Sequence, residues 1–475
     1  MTQPMNRREF LAMASAALIP ASGQTLQFTA PPEFETELPI PPVLAPRKSD
    51  GTTDYYEIIQ RETWTEIIPG MRTKIRSYNG TFPGPTIKAR RGRHTVATHT
   101  NQLTIPTVVH LHGGVTKPDS DGFPTDTTPP GESRRYEYGN SGRAATLWYH
   151  DHSWRDSGRN LHMGLAGFYL LEDPNDDTPL PRDQYDIPLM LQDRSFTSDG
   201  ELDYDHQRHH GATGNVMLVN GAPWPVLKVA ARKYRFRILN ASNATAVALS
   251  LSSHQPFVQI ATDHGLLRAP VSLPTIRLAM AERVEVVVDF ADYSIGTRIV
   301  LQNRLGQGRL SRVMCFDVVR KERDDSLVPA SLAELETLRP SQAVRTRTFV
   351  FGGRPTLGLP PGVRWVINGE GFDPGRVDVE PRLGDVEIWR FVSRGFLGRA
   401  MLHPVHTHLV PFQILTRNGQ PPRAEERGWK DTVAVDRDEA VDVIMRWSGY
   451  RGRYLLHCHN LEHEDHSMMA RVDVI

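Results

Sequence analysis

The chain has 475 residues, and its 55 Lys and Arg are matched by 55 Asp and Glu. A zero formal net charge removes nucleic acid and anionic membrane surfaces as electrostatically favoured partners. The length exceeds what one hydrophobic core serves, so roughly two to four domains are expected. The 36 Pro and 37 Gly suit an all-β chain of many short strands and turns.

Residues 1–24 read as a twin-arginine signal peptide. Asn6-Arg7-Arg8-Glu9-Phe10-Leu11 precedes an apolar run from Phe10 to Ile19 and small residues at Ala21-Ser22-Gly23. The run is too short to span a bilayer. Twin-arginine export carries folded proteins, which suits a chain that takes up metal before export. A periplasmic or secreted location is therefore expected, and the segment is left out of the fold.

Three related turns then divide the chain. Asn79-Gly80-Thr81-Phe82-Pro83, Asn220-Gly221-Ala222-Pro223 and Asn368-Gly369-Glu370-Gly371-Phe372 are nearly evenly spaced. Strand-like runs follow them at His94 to Thr98, Tyr234 to Leu239 and Val386 to Val392. This pattern predicts three copies of one β-domain, each the size of a Greek-key sandwich. The expected domains are 45–175, 185–325 and 341–475. Linkers are expected near 174–184 and 320–342, the latter with a short surface helix from Ser331 to Leu338. His206, His209 and His210 lie in a polar stretch and read as solvated.

The two cysteines have different settings. Cys315 sits in the apolar run Val313-Met314-Cys315-Phe316 and reads as a small core residue of a buried strand. Cys458 is flanked by His457 and His459, with His463 and Met468 following. Two His, one Cys and a distant Met describe a blue-copper electron-transfer site. On a strand, Cys458 would face one way and both flanking histidines the other. The tripeptide would then bind one metal through sulfur and touch a second cluster behind it.

Partners for that cluster lie upstream. His110-Leu111-His112, His150-Asp151-His152 and His403-Pro404-Val405-His406-Thr407-His408 are unusually rich in imidazole. One HxH pair is weak evidence of a metal site, but four such motifs are not. Carboxylates are sparse within them, against a di-iron carboxylate site. The cysteines are too few for a Cys-rich structural zinc. Imidazole with one thiolate favours copper. Because the motifs fall in the first and third repeats, the cluster would lie between them, with the second repeat as a spacer.

The chain resembles a three-domain multicopper oxidase, and within that family the bacterial spore-coat laccase and bilirubin oxidase branch. Val109-His110-Leu111-His112-Gly113-Gly114, Trp148-Tyr149-His150-Asp151-His152, Gly428-Trp429-Lys430-Asp431-Thr432 and Leu456-His457-Cys458-His459-Asn460-Leu461-Glu462-His463-Glu464-Asp465 carry the resemblance, which covers about residues 50–475. It implies three cupredoxin-like Greek-key β-sandwich domains and four copper ions. His403, Cys458, His463 and the weak axial Met468 would hold the type 1 copper, and His110 and His406 the type 2 copper. His112, His150, His152, His408, His457 and His459 would hold the type 3 pair. The sequence departs from the branch at His162 and Met163, which are not ligand positions. His466, between His463 and Met468, is expected to be a bystander.

The resemblance also implies the reaction. A small aromatic reductant would give single electrons at an exposed imidazole edge of His463. Electrons would pass through Cys458 to His457 and His459, and dioxygen would become water at the cluster. Glu464 and Asp121 resemble the family acids that supply protons; the alternative is a pair of solvated surface carboxylates. Phenols or aromatic amines are the expected donors. A bilirubin oxidase and a cuprous oxidase of copper tolerance are alternatives, the latter disfavoured because the 13 methionines are scattered. A non-catalytic copper-binding envelope protein is disfavoured because every ligand position is present, and a two-domain nitrite reductase should lack the HCH and the third repeat. No nucleic acid or membrane span is expected, and a monomer would suffice.

Overall fold

A computed structural model describes residues 28–205, 210–356, 362–394 and 401–475. The signal-like segment, His206 and His209 lie outside these residues. Among the described residues no helix is long and apolar enough to cross a membrane.

The strands form three sandwiches. In the first, a five-stranded sheet built on Thr53–Thr65 faces a four-stranded sheet holding Val109–His112 and Ala145–Asp151. In the second, an eight-stranded sheet that includes Asp186–Phe196 and Arg283–Asp289 faces a five-stranded sheet that includes Arg312–Lys321. In the third, a five-stranded sheet with Val386–Ser393 faces the four-stranded sheet of Thr432–Val435, His403–Thr407, Gly452–Cys458 and Met469–Val474. Each sandwich closes over its own core of alternating inward side chains. The architecture is all-β, with three cupredoxin-like sandwiches.

The three Asn-Gly turns repeat at atomic detail. Asn79, Asn220 and Asn368 have φ of 54°, 51° and 52°, and the glycines after them 83°, 86° and 84°. Two consecutive positive φ values define the tight hairpin turn that favours Asn-Gly. Each Asn side chain accepts a hydrogen bond from the backbone N–H of Ile59, Met190 or Val350 at 2.7–2.8 Å. Its amide donates to the carbonyl two residues earlier, at Glu57, Pro188 or Thr348. The strand so gripped pairs in parallel with the strand expected after each turn: His94–Asn101, Lys233–Asn240 and Val386–Ser393.

The helix expected from Ser331 to Leu338 is absent. The segment is an irregular strap bounded by Pro329 and Pro340. Its leucines recur every third residue, a period that an extended strap presents as readily as a helical turn. Leu332 packs with Leu180 and Ile260, while Leu335 and Leu338 pack with Trp429 and Ile444. Tertiary hydrogen bonds replace helical ones: Leu332 N–H to Arg268 O, and Leu338 N–H to Gln413 Oε1. Cys315 is buried in Arg312–Lys321, as its apolar run implies.

Candidate metal centre

Strand register decides which histidines share a face. Gly452–Cys458 pairs antiparallel with His403–Thr407, setting Val405 opposite Cys458 and His406 opposite His457. Opposed residues of an antiparallel pair project to the same side, and alternate residues to opposite sides. His403 thus joins the Cys458 side, and His406 joins His457. In the first sandwich, His110 lies opposite His150, which gathers His110, His112 and His150 on one face. All ten motif histidines and Cys458 are at most 1% exposed.

On one side, Cys458 Sγ lies 3.5 Å from His403 Nδ1 and 3.6 Å from His463 Nδ1. His463 rides on the short helix Leu461–Asp465, whose cap Asn460 accepts from the His463 N–H and directs its own N–H at Cys458 Sγ, 3.4 Å away. Met468 is buried in the same core. Its carbonyl accepts from Cys458 N–H at 3.1 Å and its N–H donates to His463 O at 2.9 Å, so its backbone is tied to both. Burial pushes the bare Cys458 thiol well up, so a thiolate there requires a cation beside it. The imidazole edge expected to be exposed is not: His463 is fully buried, with Trp365 stacked on it at 3.8 Å between ring centroids. His210 is exposed and meets Trp365 edge-on at 5.8 Å, and its backbone hydrogen-bonds His463.

On the opposite side, eight histidines converge. Their donor nitrogens form the sets His110–His112–His406, His112–His150–His459 and His152–His408–His457, each within 4.8 Å. His406 Nε2 is 3.5 Å from His110 Nε2, and His457 Nε2 is 3.2 and 3.3 Å from His408 Nε2 and His152 Nε2. Outer partners orient the rings. His110, His150 and His406 direct Nδ1 at the carbonyls of Asp121, Asp151 and Asp431, at 2.6–2.8 Å. A carbonyl or carboxylate only accepts, so the facing nitrogen carries the proton and the other keeps a lone pair. His150 Nε2 and His112 Nδ1 are buried without a protein partner, as expected of atoms kept for a cation. Burial, and for most of them neighbouring imidazoles, hold His110, His112, His150, His408 and His459 neutral. Neutral imidazoles with one sulfur fit copper.

Asp121 and Glu464 are buried rather than solvated. Asp121 Oδ2 is 2.6 Å from His408 Nδ1, and its Oδ1 accepts from Thr116 Oγ1 at 3.0 Å. Glu464 bridges two rings, with Oε2 3.2 Å from His457 Nδ1 and Oε1 3.4 Å from His152 Nδ1. Burial raises both carboxyls, Asp121 to about 8. His162 is a buried helix residue packed on Tyr204, and His466 bonds the Glu462 carbonyl; neither joins a donor set. Met163 packs on the second core. Sequence reasoning missed Arg283, Asp263 and the side-chain role of Asp431. The one available signal was a charged residue opening the apolar strand Arg283–Asp289.

Family models described as multicopper oxidase match residues 60–176, 184–308 and 336–475. The chain is 38% identical to a laccase of Bacillus stratosphericus, over 93% of this chain and 99% of that protein. It is 36% identical to a bilirubin oxidase of Albifimbria verrucaria, over 92% and 81%. Among solved structures, a laccase from Pediococcus acidilactici superposes with a TM-score of 0.87 at 31% identity, over 94% of this chain and 95% of that one.

Proposed function

The chain belongs to the multicopper oxidase family and is a laccase-like, copper-binding oxidase; from that premise we propose that it takes single electrons from phenols or aromatic amines and passes them to dioxygen through four copper ions. The observation that carries this is the placement of Cys458 between His457 and His459: its sulfur joins one donor set while its neighbours join two others. The ligand roles follow that division. His403, Cys458, His463 and axial Met468 form the type 1 set, and His110 and His406 the type 2 set. The type 3 pair takes His112, His150 and His459 on one ion, and His152, His408 and His457 on the other. The domains run 45–175, 185–325 and 341–475.

Bound copper supplies one-electron redox steps at the sulfur site and reduction of dioxygen by four electrons and four protons to two waters at the histidine cluster. The chain supplies the path and the protons. Cys458 is covalently continuous with both flanking histidines, so an electron leaving its sulfur reaches either type 3 set through a few bonds. Glu464 and Asp121 each touch ligand imidazoles from behind and hold protons out of contact with bulk solvent. A donor phenol loses one electron and its hydroxyl proton, leaving a radical that departs. A monomer completes the cluster, because both halves come from one chain. Export by the twin-arginine route to the periplasm or beyond is part of the proposal and rests on residues 6–23.

Oxygen uptake by copper-loaded protein tests the reading. Rapid uptake with a dimethoxyphenol and little with cuprous ion is the expected result. Uptake with cuprous ion alone would make it a metal oxidase, and fast uptake with bilirubin would extend the donor class to tetrapyrroles. No uptake from fully loaded blue protein would leave a non-catalytic copper protein.

A further inference from the structure

The second sandwich contributes nothing to the histidine and thiol donor sets among the described residues, yet its side chains reach the cluster from behind. We propose that Arg283 is a positioning residue that, acting through Asp431, fixes the imidazoles of His112 and His406. The domain without ligands would thereby set the orientation of two ligand rings. This rests on the ligand assignment proposed above.

Asp431 is 1% exposed. Its Oδ1 accepts from His112 Nε2 at 3.0 Å, Thr432 Oγ1 at 2.8 Å and Arg283 Nη1 at 2.7 Å. Its Oδ2 accepts from Arg283 Nη2 at 2.5 Å. Two parallel N–H···O bonds make a fork, which fixes the carboxylate plane as well as its position. That plane aims the oxygen at His112 Nε2, so His112 presents Nδ1 to the cluster. His110, His150, His406 and His408 are held at Nδ1 instead and present Nε2. His112 therefore depends on a side chain from another domain to choose the opposite nitrogen. The Asp431 carbonyl does the corresponding work for His406, accepting from its Nδ1 at 2.8 Å.

Arg283 is itself tied down. Its Nε donates to Thr146 O at 3.0 Å in the first sandwich, Nη1 to Ala281 O at 3.1 Å and Nη2 to Asp263 O at 3.2 Å. Asp263 Oδ1 accepts from the Arg283 N–H at 2.8 Å, and its Oδ2 lies 3.3 Å from Asp431 N and 2.9 Å from Lys430 Nζ. One guanidinium thus touches all three domains where the donor sets meet. Room for it comes from Gly113, directly after His112. A Cβ there would stand 2.8 Å from Asp431 Oδ2 and 2.9 Å from Arg283 Nη2, and φ is +85°. Without the guanidinium, Asp431 is a buried carboxylate left with only the His264 imidazole in its place, 2.9 Å from Oδ2, and turning toward it, away from His112, is its local relief.

The test compares parent, Arg283→Gln and Arg283→Lys for copper per chain over a copper titration, the blue band of the sulfur site, and apoprotein melting. The expected result is an Arg283→Gln protein that stays blue but binds cluster copper roughly tenfold or more weakly, as loss of an outer partner does. Excess copper should restore full loading. Arg283→Lys keeps a cation but loses the fork, and should fall between; it decides the matter should Arg283→Gln not fold. Parental copper affinity in both variants, with only a lower apoprotein melting temperature, would overturn the proposal and leave Arg283 as a domain fastener. A parent that binds copper at the sulfur site alone would overturn the ligand assignment itself.

Discussion

Trp365 lies flat on the imidazole of His463, with ring centroids 3.8 Å apart and planes 30° from parallel. Both side chains are fully buried. A donor molecule therefore cannot touch that imidazole directly, and His210, exposed and edge-on to the indole, is the nearer surface residue. The Trp365→Leu protein should keep its blue colour and still be reoxidised by oxygen at the parental rate. Its oxidation by phenols should fall roughly tenfold, the effect of a barrier raised by about 1.4 kcal/mol. Stopped-flow reduction under anaerobic conditions separates the two halves; unchanged reduction would place electron transfer elsewhere.

Glu464 stands 3.2 Å from His457 and 3.4 Å from His152 with no access to bulk water. Glu464→Gln keeps the shape and removes the titratable carboxyl. Steady-state oxygen reduction should drop by roughly a hundredfold, at the low end of what a positioned proton donor contributes, while copper content and blue colour stay parental. Turnover equal to the parent would end the proton role.

Met468 shares its core with Cys458, and its backbone is bonded to both Cys458 and His463. Met468→Leu preserves volume and removes the sulfur proposed as a weak axial donor. Loss of a donor destabilises the oxidised ion, so the type 1 potential should rise. Met469 lies on the following strand, Met469–Val474, and its replacement by Leu should leave the potential alone. Redox titration monitored by the blue band distinguishes them, and a fall in Met468→Leu would remove it from the ligand set.

Glu285 couples the first two sandwiches. It accepts from Thr146 Oγ1 at 2.7 Å and pairs with Arg235 and Arg237. Burial pushes its carboxyl up, but the two guanidiniums outweigh this and hold it down near about 2, against an ordinary 4.5. A depressed folded-state value stabilises above the unfolded value, and the benefit is lost as pH falls from 4.5 toward 2. Apoprotein melting temperature should drop across that window, and the drop should flatten in Glu285→Gln. At neutral pH that variant should be destabilised by roughly 3 kcal/mol, as when one partner of a buried ion pair is removed. An equally steep acid dependence in the variant would assign it to other carboxylates.

The sequence by itself determined the chemistry of the donors and the triplication of the fold. Cys458 between His457 and His459 carries the first, because strand alternation turns adjacent positions into opposite faces whatever surrounds them. The Asn-Gly turns at 79, 220 and 368 were legible for the same reason: two positive φ values are a local demand that few residues meet. Tertiary structure alone decided the rest. Arg283 meets Asp431 across 148 positions, and neither carries a local pattern that announces the other. Ser331 to Leu338 had leucines at a spacing open to helix or strap, and the partners Arg268 and Gln413 settled it from other elements. His463 carried the residue type of an electron gateway, but its burial under Trp365 depended on a strand nearly a hundred residues away in sequence. Local pattern specifies which atoms a residue offers and which face it occupies; which faces meet, and what covers them, is fixed only when the domains pack.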